Sequence, residues 1–319
     1  MQLALLSSPK FKSFQKIKVG VVRGGTSDER RISLRSGRAV YKALKRAGVP
    51  VMILDPADGK IFFRKIREID LLFLALHGSG GEDGFLQRKL ETIGIPFTGS
   101  CSHACRKSFN KEVTKRQLAT LRLPTPEHVI VKKKDWRKKA AAFPAPFFVK
   151  PLEGGSSQGI FLVEDFRKSA EKIRRSILRY GKVLLEKKIF GRELTAGILG
   201  GKKLPVVEVK PKRSFYDYKA KYTKGMTVYE VPARIPRKVA QKVQSLALRV
   251  YRGIGLSGFG RIDIMIDRKQ RPFVLEVNSI PGLTELSLLP KAARAIGISF
   301  EELCMRVLRE AWEKRKIRK

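Results

Sequence analysis

Residues 71–76 read LLFLAL, carry no polar side chain, and run straight into the loop HGSGGEDG at 77–84. A strand apolar on both sides must be covered on both faces. A doubly wound α/β layer does this and a one-sided antiparallel sheet does not. Two more short apolar runs precede it, at 17–22 and 51–54. Between them, residues 33–47 place Leu34, Ala39, Val40, Ala43, Leu44 and Ala47 at helical spacing, and Gly48 supplies the stop. This order of elements predicts a parallel α/β unit over residues 16–101. Ligands gather at the carboxyl ends of such strands.

The rest of the chain reads as mixed α/β. A second unit is expected over 102–187, with a helix at 108–121 stopped by LPTP at 123–126, a strand at 147–150 leading into PLEGGSSQG at 151–159, and a strand at 183–186. A third unit, 188–319, holds several strands, a polar loop at 214–229 with four tyrosines, a helix at 237–254, a strand pair within 260–278 and an amphipathic helix at 300–316. Residues 1–15 read as a flexible extension. Their basic residues follow the apolar patch rather than precede it, unlike a secretory signal. No apolar run reaches the roughly 18–20 residues that span a bilayer, so no membrane association is expected.

Hydrophobic residues make up 43% of 319, a globular composition with room for two or three domains. The formal net charge is +39. Nucleic-acid binding is one reading of such a charge. It is spread along the chain, however, on polar helix faces such as Arg35, Arg38, Lys42, Lys45 and Arg46. A solvated basic surface is the preferred reading, and nucleic-acid binding is not expected. The three cysteines, Cys101, Cys105 and Cys304, read as reduced thiols of a cytoplasmic protein. Cys101, His103 and Cys105 lack the spacing and the second ligand pair of a zinc site.

The residues 260–278 carry the sharpest chemistry. Alternation puts Arg261, Asp263 and Met265 on one face of a first strand, and Val274, Glu276 and Asn278 on one face of a second. A four-residue loop at 268–271 would set Asp263 opposite Glu276 and Arg261 opposite Asn278. Two facing carboxylates repel unless one takes a proton or a cation sits between them. With the Asn278 amide oxygen they form an oxygen donor set suited to Mg²⁺, whose other positions go to water and nucleotide phosphates. The alternative is a surface hairpin with an Arg261–Asp263 salt bridge. The glycines and serines of 153–159 would let backbone N–H groups approach phosphate, with Lys150 beside them. The backbone of 186–189 could meet an adenine edge, or be an ordinary charged strand exit. His77, in its glycine-rich loop, is a candidate at the strand ends. Glu29 could pair with a substrate ammonium or simply charge a helix N-terminus.

Taken together, the segments GGTSDER (24–30) with Ser33, LHGSGGEDG (76–84), KPLEGGSS (150–157), FYDYKAKY (215–222), GRID (260–263) and EVNSIPGLT (276–284) resemble the D-alanine–D-alanine ligases of the ATP-grasp superfamily. The resemblance runs in order from about residue 16 to the C-terminus. It implies a three-domain ATP-grasp fold with an N-terminal doubly wound sheet. It also implies a cytoplasmic homodimer that makes D-alanyl-D-alanine for peptidoglycan, using ATP with two Mg²⁺ or Mn²⁺ ions. A first D-alanine would become a D-alanyl phosphate, and the amine of a second would displace phosphate.

By that resemblance, Glu29 binds the first ammonium and is linked to Tyr222 through Ser156, with His77 as a neighbour. Lys111, Lys150, Ser156, Ser157, Glu186, Lys187 and Ile189 are nucleotide contacts, Glu193 meets the ribose, and Lys221 meets the γ-phosphate. Arg261 and the Gly282 N–H stabilise the oxyanion. Asp263, Glu276 and Asn278 hold metal. Ser287 and the Leu288 N–H cradle the second carboxylate. The chain departs from the family pattern at Asn110, where Asp precedes the lysine, and at Arg31 and Lys219, where acidic residues are common. A sister ligase using D-lactate or D-serine is the alternative, although Tyr222 favours D-alanine. A nucleic-acid-binding relic of the fold is a third reading.

Overall fold

The computed structural model describes residues 13–212, 223 and 225–317. Three sheets organise them. The first is parallel, in the order β2–β1–β3, from β1 (Val19–Val22), β2 (Val51–Leu54) and β3 (Leu71–Leu74). Both β1 and β3 are wholly buried, as their sequences require. Helix α1 (Arg30–Arg46) covers the sheet with an apolar stripe that includes Val40, Ala43 and Leu44. Helices α2 (Lys60–Lys65) and α3 (Phe85–Thr92) follow β2 and β3.

The second sheet is antiparallel, β4–β7–β5–β6, from β4 (His128–Lys132), β5 (Phe147–Pro151), β6 (Phe161–Val163) and β7 (Lys182–Lys187). Ahead of it, the single helix expected over 108–121 is two helices, α4 (Ser102–Phe109) and α5 (Lys111–Thr120). Asn110 breaks them. Its backbone is extended, and its Oδ1 accepts the Val113 N–H at 3.1 Å as the cap of α5. Helical spacing continues across the break, so only the cap marks it. Helices α6 (Trp136–Ala142) and α7 (Phe166–Tyr180) pack on this sheet.

The third sheet is antiparallel, β10–β9–β8–β11–β12, from β8 (Gly191–Leu199), β9 (Lys202–Pro211), β10 (Thr227–Glu230), β11 (Phe259–Asp267) and β12 (Pro272–Asn278). The loop expected over 214–229 therefore ends in strand from Thr227, paired with β9. Residues 214–222 and 224 of that loop lie outside the described residues. Helix α8 (Arg237–Ile254) covers one face. Two shorter-range features close the chain, α9 (Leu288–Arg294) and α10 (Phe300–Ile317).

Asp263 does stand opposite Glu276, and Arg261 opposite Asn278. The route to that register differs from the expected one. Arg271 accepts the Asp267 N–H through its carbonyl, and Gln270 has φ of 60°, so the loop closes a residue earlier and Ile266 pairs with Pro272. An irregularity at Leu275 then restores the pairing, because Ile264 faces Val274 while Asp263 faces Glu276. The bulge turns Val274 to the core beside Val277, away from the face of Glu276 and Asn278 on which alternation put it.

One core joins the two ends of the chain. Leu303, Val307 and Leu308 of α10 are buried with the residues of the parallel sheet. Phe14 is 1% exposed and its ring lies 6.3 Å from that of Trp312. The extension expected over 1–15 is thus anchored at its end, and residues 1–12 lie outside the described residues. Among the described residues, no helix is long and apolar enough to cross a membrane.

Candidate functional site

Two cavities open between the sheets. The first, about 490 Å³, is lined by Glu29, His77, Ser156, Arg261, Asn278 and Gly282, and by Ser287 and Leu288 at the start of α9. Glu29 occupies the N-cap position of α1 but makes no side-chain cap bond. Its carboxylate is turned to the cavity, where Ser156 Oγ donates to Oε1. Ser156 and Ser157 follow one another with φ of 53° and 58°, left-handed backbone that is uncommon for residues other than glycine. A Cβ on their neighbour Gly155 would lie 2.5 Å from Glu29 Oε2, so a side chain there would push that carboxylate out of place. The loop therefore folds directly against the Glu29 carboxylate.

His77 is buried, its Nε2 2.9 Å from Ser36 Oγ and its backbone N–H donating to Ser33 Oγ at 2.9 Å. Burial first, and then the Arg261 charge, push its pKa down to about 4, against a backbone hydrogen bond with Ile280. It is a neutral imidazole at neutral pH. Glu82 shares the cavity and received no role from the sequence. Its carboxylate accepts the Gly78 N–H at 2.8 Å. Burial and then the Glu29 charge push its pKa up to about 8. The sequence signal was present, a carboxylate inside a glycine-rich loop at a strand end. Its neighbours Glu29 and Glu276 come from remote segments. At the far wall, Ser287 Oγ accepts the Thr284 N–H at 3.1 Å, so the hydroxyl is held at the head of α9.

The second cavity, about 420 Å³, lies between the two antiparallel sheets. Lys111, Lys150, Ser157 and Glu186 line one side, and Lys187, Ile189 and Glu193 another. Lys150 pairs with Glu186, and Lys111 Nζ donates to the Gly154 carbonyl at 3.1 Å. Burial alone would raise the Glu186 pKa. Lys115 and then Lys150 outweigh it and hold the group near 2. Within 186–189, the Lys187 N–H donates to the Glu127 carbonyl at 2.9 Å and the Lys188 N–H to the Pro146 carbonyl at 3.0 Å. Those two donors serve the fold.

The cavities meet at Glu276, which alone among the described residues lines both. Lys111 Nζ lies 3.5 Å from its Oε1. Opposite, the Asp263 carboxylate accepts from Arg261 Nε and Nη2 at 2.8 Å each, from Thr195 Oγ1 at 2.7 Å and from Asn278 Nδ2 at 3.1 Å. The salt bridge weighed from the sequence is present, and it sits inside the site rather than on an open surface. Asn278 spends its amide nitrogen on Asp263, which leaves its oxygen as the group it can offer a cation. Among the described residues no three His, Cys, Asp or Glu side chains gather where they could hold a metal. A cation held here would have two carboxylates and one amide oxygen, and would take the rest of its shell from water and phosphate. That suits Mg²⁺. Tyr222 and Lys221 lie outside the described residues.

The chain matches two family profiles, D-ala D-ala ligase N-terminus over residues 55–100 and D-ala D-ala ligase C-terminus over residues 118–309. It is 43% identical over 290 residues to the D-alanine–D-alanine ligase of Methylacidiphilum infernorum (isolate V4), covering 91% of this chain and 94% of that one. Its structure is similar to that of D-alanine–D-alanine ligase from Bacillus anthracis, with a TM-score of 0.84 at 31% identity over 95% of this chain and all of that one. The same enzyme complexed with ATP gives 0.82 at 29% identity, with the same coverage. The VanG D-Ala:D-Ser ligase from Enterococcus faecalis gives 0.78 at 26%, covering 91% and 98%.

Proposed function

The chain belongs to the D-alanine–D-alanine ligase family, and on that premise we propose that it joins two D-alanines into D-alanyl-D-alanine for peptidoglycan synthesis, converting ATP to ADP and phosphate. The observation that carries this reading is the junction at Glu276 between a cavity rich in groups for an amino acid and a cavity rich in lysines.

Glu29 binds the ammonium of the first D-alanine, and Ser156 fixes the orientation of that carboxylate. His77, neutral at working pH, adds no positive charge beside the ammonium. Arg261 and the Gly282 N–H face the substrate carboxyl. Lys111, Lys150 and Lys221 hold phosphate oxygens, with Ser156 and Ser157 offering backbone N–H groups. Glu186, Lys187, Ile189 and Glu193 bound the base and ribose.

A carboxylate is a poor electrophile, so it has to be activated first. A substrate carboxylate oxygen bonds to the γ-phosphorus as the bond to ADP breaks, giving a D-alanyl phosphate. Ser287 and the Leu288 N–H hold the second D-alanine by its carboxylate. Its amine attacks the acyl carbon, the acyl carbon–oxygen bond breaks, and the departing phosphate takes up the amine proton. Asp263, Glu276 and Asn278 would hold Mg²⁺ or Mn²⁺, two ions in all, and a divalent cation bound there neutralises phosphoryl oxygens that repel an incoming anion. Holding both alanines in place supplies up to roughly 7–11 kcal/mol of the barrier in ideal cases. Thr223, Gly225 and Tyr229 line the first cavity, which supports the segment 214–229 as the cover that keeps water from the acyl phosphate.

We also infer three domains, 16–101, 102–187 and 188–319, and a cytoplasmic homodimer. The function is tested by offering the purified chain MgATP with D-alanine alone, or with D-alanine plus D-lactate or D-serine. D-alanyl-D-alanine is the expected major product near neutral pH. A dominant ester or D-serine product overturns the choice of second substrate.

A further inference from the structure

Glu186 is 1% exposed, and two lysines reach it from different elements. Lys150 comes from β5 and also lines the nucleotide cavity. Lys115 comes from α5, is 2% exposed, and lines neither cavity. Lys115 is tied down on its far side. Its Nζ donates to Thr125 Oγ1 and, at 3.4 Å, to the Val274 carbonyl. Thr125 Oγ1 donates to the same carbonyl at 2.7 Å, and the Val274 N–H donates to the Pro124 carbonyl at 2.9 Å. Lys115 is thereby anchored to β12 beside the bulge that sets Glu276.

One lysine charge cannot serve a phosphate and a buried carboxylate at full strength. Were Lys150 the sole partner of Glu186, its departure for phosphate would strand an ionised carboxylate in a dry site, and the group would take up a proton instead. The other neighbours do not fill that role. His128 on β4 stands opposite Glu186, but its Nδ1 is 3.0 Å from the Pro126 carbonyl. Phe148 on β5 is apolar, and Lys111 on α5 is engaged with Glu276 and the Gly154 carbonyl.

We infer that Lys115 is a positioning residue, the fixed counter-charge of Glu186 that lets Lys150 leave for a nucleotide phosphate while Glu186 stays ionised. This rests on reading the second cavity as the nucleotide site. The cost of a buried charge is thus met by a group that ATP never touches. Lys150 is left as the mobile member of the trio.

The experiment is calorimetric titration of MgATP into the full chain, in two buffers of different ionisation enthalpy near pH 7. This gives both Kd and the protons taken up. Against wild type, Lys115→Met is expected to weaken binding about tenfold or more and to add proton uptake approaching one per ATP. Lys115→Arg should return both toward wild type. In Lys115→Met/Glu186→Gln the added proton uptake should vanish, because no carboxylate remains to be neutralised. Wild-type Kd and proton count in Lys115→Met overturn the inference. Weakened binding without added protons overturns it too, since that is loss of packing alone. If Lys115→Met does not fold, the double variant is expected to fold, as it removes the buried carboxylate together with its buried partner and leaves only Lys150, which opens on the cavity. Its failure to fold assigns Lys115 to packing and overturns the proposal. If wild type binds no ATP, or Lys150→Met binds it as wild type does, the reading of the cavity is wrong and the inference falls with it.

Discussion

Glu276 faces Asp263 across β11 and β12, and each carboxylate already has its own cation, Lys111 on Glu276 at 3.5 Å and Arg261 on Asp263 by two bonds of 2.8 Å. The two cations come from different elements, α5 and β11 itself. The pair is thus held close without a metal, which explains how opposed carboxylates are tolerated at a half-buried position. Were Asp263 and Glu276 to hold a divalent cation, Arg261 and Lys111 would be the groups left for the substrate carboxyl and the phosphates.

Ser156 tests the first-substrate end. Its hydroxyl meets Glu29, and its φ is 53°. Ser156→Gly keeps the backbone at ease and removes the hydroxyl, whereas Ser156→Ala also strains the loop. Both variants are expected to raise KM for the first D-alanine by about 10- to 100-fold. Ser156→Gly should be the more stable by about 1 kcal/mol. Steady-state kinetics and urea unfolding check the pair.

His77 and Glu82 give the fold opposite responses to pH. Unfolded His77 takes a proton as pH falls through about 6.5, while the folded group resists until about 4. The unfolded state binds more protons in that window, so stability is lost as pH falls through it, by up to about 3 kcal/mol. Unfolded Glu82 ionises above about 4.5, while the folded group holds its proton to about 8, so stability is lost as pH rises between those values. Urea midpoints measured from pH 4 to 8 should lose the acid-side decline in His77→Gln and the upper decline in Glu82→Gln.

Much of this site was legible in the sequence, and the parts that were not share a cause. The facing of Asp263 and Glu276 follows from strand alternation. The bulge at Leu275 does not, because the loop and the bulge each shift the ladder by one and cancel at Asp263. Val274 sits between them and was placed on the wrong face. The break at Asn110 was hidden for a similar reason. Asparagine fits helical spacing as well as a cap, and only the contact with the Val113 N–H decides. Glu82 and Lys115 act through residues from distant segments, so no local pattern marks them.

Asn110 stands where the resemblance to the family leads one to expect aspartate, and the geometry gives asparagine a use there. Its Oδ1 caps α5, and its Nδ2 donates to Glu153 Oε1 at 2.8 Å, a bond that an aspartate cannot make. Asn110→Ala is expected to cost about 1 kcal/mol of stability. Asn110→Asp should keep the cap but set a carboxylate against Glu153, with a loss that shrinks in high salt. Urea unfolding of both variants at low and high salt checks this.

The most direct measurement is D-alanine-dependent release of phosphate from MgATP by the purified chain, beside Glu276→Gln. The wild-type chain is expected to release one phosphate per dipeptide formed. Glu276→Gln, which keeps size but removes the charge at the junction of the two cavities, should lower turnover by about 100-fold or more. Near wild-type turnover in Glu276→Gln, or phosphate release that ignores D-alanine, would contradict the assignment of that junction as the reacting centre.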